Sequence, residues 1–393
     1  MRAVFNFMRI QIITPGRFHL FDLARELHKK GHLFKLVTTL PRFVAKKFNI
    51  PRKKTKSFVW HEVMWRLSNK ILDRFGGIYN PQFFFHNLYS KSAKNTLVEP
   101  IDILVCGSSF ALPLIKKAKE LGAVVILERG SSHIAYQTKI LQEESKITGC
   151  KLTTAHELVE KRELKEYELA DYISVPSTYV ENTFVSAGIS KEKLIKVPYG
   201  VDLSMFAPGE KKDDVFRIIH VGTLNLRKGV HYLLEAFSSL NLKQSELILV
   251  GVVTHEIKSY LDKYKSNNIK VVGAVPQNEL TGYYNNSSVF CLSSIEEGMA
   301  MVTLQAMACG IPVICTENTG AGDIVDDGVE GYIIPIRNIR IIKEKINYLY
   351  NNESERATMG ICALNKIRQC DYSWSAYGDR ICKEYESILL NEK

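Results

Sequence analysis

Short apolar runs alternate with amphipathic stretches along the whole chain. In the first half the runs are Phe34–Leu40, Ile103–Cys106, Val124–Leu127, Tyr172–Val175 and Ile195–Val197. In the second half they are Phe216–Val221, Leu247–Val250, Lys270–Val275, Val289–Leu292, Pro312–Cys315 and Tyr332–Pro335. Such runs predict strands covered on both faces. Between them lie helical patterns such as Phe21–Lys30, apolar at 21, 23, 24, 27 and 28 and closed by Gly31. The opening MRAVFNFMRIQIITPGRF has no long unbroken apolar region and no small-residue cleavage site, so it reads as a first strand rather than a leader. Strand–helix alternation predicts parallel sheets with helices on both sides. Two such sets predict two Rossmann-like, doubly wound α/β domains. The periodicity breaks at YGVDLSMFAPG, Tyr199 to Gly209. The expected limits are 1–205 and 206–371, followed by a segment 372–393. Its amphipathic helix, Trp374–Leu390, is expected to pack back toward the first domain.

The length of 393 residues suits two full cores, and 46% apolar with 24% charged residues is ordinary for a globular protein. No apolar run approaches the ~18 residues of a membrane-spanning helix. Eight cysteines without a C-x-x-C pair argue against a disulfide framework and for a reducing cytoplasm; Cys309 and Cys315 read as core. The net charge of +10 changes the picture more. Between Arg42 and Lys70 nine Lys or Arg face Glu62 alone, and Phe43, Phe48, Phe58, Trp60 and Trp65 interleave with them. A basic, aromatic surface suits anionic membranes or anionic saccharides, and by composition alone also nucleic acid or a plain solvated helix face.

In open parallel sheets ligands bind beyond the carboxyl ends of the strands, so the candidate chemistry lies just after the apolar runs. After Phe216–Val221 comes GTLNLRKG, Gly222 to Gly229, with Arg227 and Lys228 at the start of a helix over Val230–Leu240. Cations at a helix start oppose the dipole, which makes a purely structural role unfavourable and an anion clamp the better reading. After Val289–Leu292 comes SSIEEGMAMVTLQAMACGIPVI, with a short helix expected over Val302–Cys309. Glu297 can accept hydrogen bonds from sugar hydroxyls, Gly298 permits close backbone approach, and the amides near Ala300–Val302 can face phosphate oxygens. Gln305 can bond ribose hydroxyls; the bland reading is a capping acid and a polar helix face. After Val124–Leu127 comes a polar group, Glu128, Arg129, Ser131, Ser132 and His133, that can position hydroxyls. TPGRFH, Thr14 to His19, offers one glycine before a helix and no G-x-G-x-x-G, against a dinucleotide dehydrogenase. No D-x-D pair, H-E-x-x-H, P-loop lysine motif or G-x-S-x-G elbow occurs. A site built this way must neutralise a diphosphate with side chains and backbone dipoles.

In this order the segments resemble the group 1 (family 4) retaining glycosyltransferases of GT-B fold. The resemblance runs through nearly the whole chain and is densest from Tyr199 to Pro335. YGVDLSMFAP is similar to the interdomain linker, VGTLNLRKGVHYLLEAF to the donor-phosphate segment, EEGMAMVTLQAMACGIPVI to the E-x7-E segment and TGAGDIVDDGVEGYIIP to the stretch that follows. It implies a catalytic set of Glu297, His133, Arg227 and Lys228. The implied donor set is Gly222, Arg227, Lys228, Gly298, Met299, Ala300, Met301, Val302 and Gln305. On the acceptor side it implies Gly16, Arg17, His19, Glu128, Arg129 and Ser132. Two departures stand out: Gln305 replaces the family's second, ribose-binding glutamate, and Gly16 stands alone where two glycines are common. His133 lies further past its strand than the family's histidine. The resemblance implies a UDP- or GDP-sugar donor, a saccharide or lipid-linked saccharide acceptor, no cofactor, no metal and no nucleic acid. It also implies a cytoplasmic enzyme on the inner face of a membrane, in surface polysaccharide or lipopolysaccharide synthesis, with Arg42–Lys70 toward anionic lipid. A GT-B epimerase or phosphorylase, or a non-catalytic donor-binding subunit, remains the alternative.

Overall fold

The structure is a computed structural model that describes residues 7–74 and 82–391. Residues 1–6, 75–81 and 392–393, which the expected domain limits include, lie outside the described residues. So do the side chains of 69–74, Lys70 among them.

Thirteen strands are described. β1 (Ile10–Thr14), β2 (Leu33–Thr38), β3 (Thr55–Ser57), β4 (Ile103–Gly107), β5 (Val124–Glu128), β6 (Tyr172–Val175) and β7 (Leu194–Lys196) form one sheet, in the order β3-β2-β1-β4-β5-β6-β7. β8 (Phe216–Val221), β9 (Ser245–Val250), β10 (Ile269–Gly273), β11 (Val289–Leu292), β12 (Val313–Thr316) and β13 (Gly331–Ile334) form the other, in the order β10-β9-β8-β11-β12-β13. Every pairing is parallel. The central strands are buried throughout, as in β1 and β11, which is why they read as unbroken apolar runs. In both sheets the order reverses beside the first strand, between β1 and β4 and between β8 and β11. These switch points open crevices at the carboxyl ends, and the candidate segments follow those strands.

The linker and the final segment run side by side: the amide of Val201 donates to the carbonyl of Tyr372 at 2.8 Å. The last helix, Trp374–Asn391, buries Trp374, Tyr377, Ile381 and Tyr385 and lies along the first helix, His19–Lys29, where Lys30 pairs with Asp379. A second tie was not visible in the sequence. The helix Ile134–Thr148 follows β5 of the first sheet, yet its Ile140 and Leu141 share a core with Leu226 and Val230 of the second domain. There its buried Glu144 accepts bonds from Tyr232 (2.9 Å) and Arg337 (2.7 Å) and pairs with His231 (3.0 Å).

All eight cysteines are free, and Cys309 and Cys315 are buried. Among the described residues no helix is long and apolar enough to cross a membrane.

Candidate active site in the interdomain cleft

The site starts from two loops that cross. Gly229 precedes the helix Val230–Ser238 at φ +63°, and a Cβ there would fall 1.8 Å from the carbonyl oxygen of Ser293. Only glycine lets the loop after β8 pass under the loop after β11 in this way. Within the first loop the Asn225 side chain accepts from the amide of Lys228 at 2.8 Å and shapes the turn. Arg227 and Lys228 then meet two consecutive glutamates. The Arg227 guanidinium reaches Glu296 at 2.8 and 2.9 Å, and the Lys228 ammonium touches the Glu297 carboxylate.

Glu296 was passed over in the sequence, and it is the centre of this arrangement. Its side chain is fully buried. One carboxylate oxygen accepts from the amide (3.0 Å) and hydroxyl (2.7 Å) of Ser132; the other accepts from Gln137 (2.9 Å) and Arg227. Burial alone would push its pKa up; Arg227, Gln137 and Ser132 together bring it below the usual carboxylate value. Ser132 and Gln137 belong to the first domain and Arg227 to the second, so one carboxylate ties both walls of the cleft. The available signal was the doublet Glu296-Glu297 opposite the doublet Arg227-Lys228. The partners at 132 and 137 are more than 150 residues away and invisible to local patterning.

Lys228 is held differently. Burial, and then the neighbouring Arg227, push its pKa down to about 7 against the pull of Glu296; contact with Glu297 also favours the charged form. Beside it His220 is fully buried. Its Nδ1 lies 3.1 Å from the carbonyl of Cys291, and burial with Lys228 holds its pKa at about 4, so the ring is neutral.

Gly298 fits between the domains: a Cβ there would lie 1.9 Å from the carbonyl oxygen of Gly130, and its own carbonyl accepts from Ser177 at 2.7 Å. The helix that follows is Met301–Ala308, one residue earlier than expected. The Ala300 amide already donates to Thr319 (3.2 Å), which removes it from the anion-facing set and leaves Met301 and Val302 at the helix start. Met299 is buried against the linker, where its sulfur accepts from the amide of Tyr199. Gln305 is buried, its carbonyl oxygen accepting from Tyr284 at 3.2 Å. Gly222 directly follows β8, its carbonyl abutting Gly251.

The first-domain residues are gathered by one another. His19 and Glu128 pair at 3.0 Å, and the His19 ring stacks on Tyr199. Buried Arg129 pairs with Glu163 at 3.1 Å and bonds Gln137 and the Ser132 carbonyl. Glu163, Tyr167 and Glu296 hold its pKa above the usual value although burial opposes its charge. Arg17 reaches across to Gln277 of the second domain at 3.2 Å, next to Gly16 in the loop after β1. His133 requires a correction. Its ring packs between Tyr167 and Phe184, each at 5.1 Å, and burial with Arg129 lowers its pKa to about 4. It is a neutral core residue rather than a group facing the cleft.

Two doubly wound sheets facing across a cleft define the GT-B architecture. HepE of Anabaena in complex with UDP shares it at a TM-score of 0.70 with 16% identity, over 97% of this chain and 100% of that one. Residues 203–365 match the model of the glycosyl transferases group 1 family. It is similar to the capsular polysaccharide biosynthesis glycosyltransferase CapM of Staphylococcus aureus, 29% identical over 208 residues, 48% of this chain and 54% of that protein. It is likewise similar to the uncharacterized glycosyltransferase MJ1178 of Methanocaldococcus jannaschii, 29% identical over 56% of this chain and 60% of that one. The matches thus span a little over half the length of these two relatives.

Proposed function

We propose that the protein is a retaining glycosyltransferase that moves a sugar from a UDP- or GDP-sugar to a saccharide acceptor in surface polysaccharide synthesis. The observation that carries this reading is the convergence of Arg227, Lys228, Glu296 and Glu297 where the two sheets' crevices face each other. UDP bound to HepE and the polysaccharide role in CapM's name support the donor and the pathway class.

In the ligand-free state each cation is neutralised by its own glutamate. A donor diphosphate replaces Glu297 at Lys228 and shares Arg227 with Glu296, which Ser132 and Gln137 continue to hold. Glu297, released, accepts a hydroxyl of the sugar. The bond between the anomeric carbon and the diphosphate oxygen breaks while the acceptor oxygen bonds to the same face of that carbon, and the acceptor proton leaves with the diphosphate. The two cations stabilise the charge gathering on the leaving group, so no metal is required. Gln305 stands by the ribose, next to Tyr284.

The acceptor is lipid-linked and the protein sits on an anionic inner leaflet through Arg42–Lys70. The helix Val59–Arg74 supports this: Val59, Trp60, Val63, Met64 and Leu67 lie exposed on one face, with Phe43 exposed nearby. The test is a panel of UDP- and GDP-sugars incubated with candidate acceptors in EDTA. The expected result is nucleoside diphosphate release that depends on acceptor. Release without acceptor, or only after magnesium or manganese is restored, contradicts the reading.

A further inference from the structure

A second basic site lies away from the cleft. A cavity of about 700 Å³ opens on the flank of the first domain, and five cations line it: Lys35, Arg42, Arg52, Lys53 and Lys56. They come from separate segments rather than from one helix, Lys35 half-buried and the other four exposed. Lys35 stands on β2 and Lys56 on the edge strand β3, where the pairing of Val37 with Lys56 puts both lysines on the same face of the sheet. Arg52 and Lys53 stand on the short turn before β3, and Arg42 opens the helix Arg42–Lys47. Asn95 and Thr96, from the segment before β4, add polar groups to the lining. The turn before β3 is fastened by Lys54, whose ammonium donates to the Leu33 carbonyl at 2.6 Å. That turn and Asn95–Thr96 precede their strands whereas Arg42 follows β2, so the cavity lies along the flank of the sheet beside the edge strand β3.

No carboxylate lines the cavity, and none of the five cations has an ion pair among the described residues. The nearest acid along the chain, Glu99, is taken by Arg9 at 3.1 Å. The local field is felt by neighbours: besides burial, Lys53 lowers the pKa of Lys54, and Lys54 with Lys53 lowers that of His28. Five like charges around one concavity repel each other, and a multiply charged anion relieves that repulsion. The volume falls within the ~300–1,000 Å³ range of small-molecule sites. Two guanidinium forks match the oxygens of phosphate groups. No aromatic ring lines the cavity, so it offers no stacking surface for a nucleobase.

We propose that this flank cavity is a binding site for an anion carrying at least two phosphate groups, distinct from the donor cleft. The ligand chemistry is the same whether the phosphates belong to a soluble condensed phosphate or to a phosphorylated lipid headgroup. The exposed apolar face that starts at Val59, three residues past Lys56, places a headgroup within reach.

The test is calorimetric titration of the full chain with sodium tripolyphosphate, independent of any transferase activity. A Lys228→Ala background removes the cleft ammonium as a competing site. One tripolyphosphate is expected to bind per chain in the Lys228→Ala background, where the cleft no longer competes. Lys35→Gln with Lys56→Gln is expected to weaken it at least tenfold, and Arg52→Ala, at an exposed position, serves if that pair perturbs folding. Binding that survives the cavity variants, or that disappears with Lys228→Ala alone, overturns the proposal, as does equal binding of sulfate at matched ionic strength. Vesicles containing cardiolipin, whose headgroup carries two phosphates, distinguish the sources: displacement of tripolyphosphate by them identifies a lipid headgroup, and binding that they leave unchanged identifies a soluble phosphate. Because the readout is binding alone, failure here is separate from failure of the glycosyltransferase reading.

Discussion

The two domains repeat one strand order but use their crevices differently. At the switch point of the second sheet, Arg227 and Lys228 are paired with acids that an incoming anion can replace or share. Behind the first sheet's loops the polar groups are already committed: His19 to Glu128, Arg129 to Glu163, and the His133 ring to the core. Topology places both sets at carboxyl ends, whereas the state of their partners decides which set can bind a charged ligand. The second-domain loops are suited to chemistry, and the first-domain cluster sets the position of Ser132 and Gln137, which hold Glu296.

The sharpest way to break this comparison is Lys228→Ala. Turnover should fall roughly 10²-fold or more, the scale for losing one preorganised charge-stabilising group. The fold should persist, because Glu297 keeps contact with solvent when its partner is removed. Wild-type turnover in this variant would dissolve the distinction between the two crevices.

Arg227 is expected to cost stability as well as rate. Its partner Glu296 is completely buried. Arg227→Ala leaves that charge without its ion pair, at a cost of about 3 kcal/mol, the low end for a broken buried pair because Ser132 and Gln137 remain. Denaturant unfolding checks this. Glu296→Gln in the Arg227→Ala background should recover part of the loss, and strictly additive effects of the two changes would show that the pair is not coupled.

How legible this was follows from where each residue's partners lie. β6, β8 and β11 were read with their observed limits because buried central strands are apolar on both faces. β3, Thr55–Ser57, was missed because a three-residue polar edge strand has no periodicity to detect. Arg227, Lys228 and Glu297 could be picked out because a helix start and a strand exit are local signals. Glu296, Glu144 and the core position of His133 depend on contacts formed only when distant segments meet, so no local window reveals them.

Within the second domain, Glu297 and Gln305 should separate kinetically. Glu297→Ala is expected to lower kcat at saturating donor, since its carboxylate touches the Lys228 ammonium and in the proposed mechanism accepts a hydroxyl of the sugar. Gln305→Ala should chiefly raise the donor KM, because the proposed ribose contact is alike in ground and transition states. Full kcat in the first variant with none in the second would reverse the assignment.

A smaller effect should follow pH. Burial, then Arg227, push the Lys228 pKa down to about 7 in the free protein, and the proposed diphosphate contact needs it charged. Above that pH each unit should weaken donor binding by up to about tenfold until the pKa of the bound state is reached, with a proton taken up on binding. Lys228→Arg, which keeps its charge, should flatten the profile. A slope that survives in Lys228→Arg would point to another group.

The most direct test of the donor crevice is the affinity of the wild type and Lys228→Ala for UDP and GDP, titrated at pH 6.5 to 7 where Lys228 retains charge. The account predicts that one of the two nucleotides binds the wild type and binds Lys228→Ala at least tenfold more weakly, with unfolding temperatures unchanged. Equal affinity in the two proteins, or no affinity for either nucleotide, would contradict the claim that the diphosphate is held at Arg227 and Lys228.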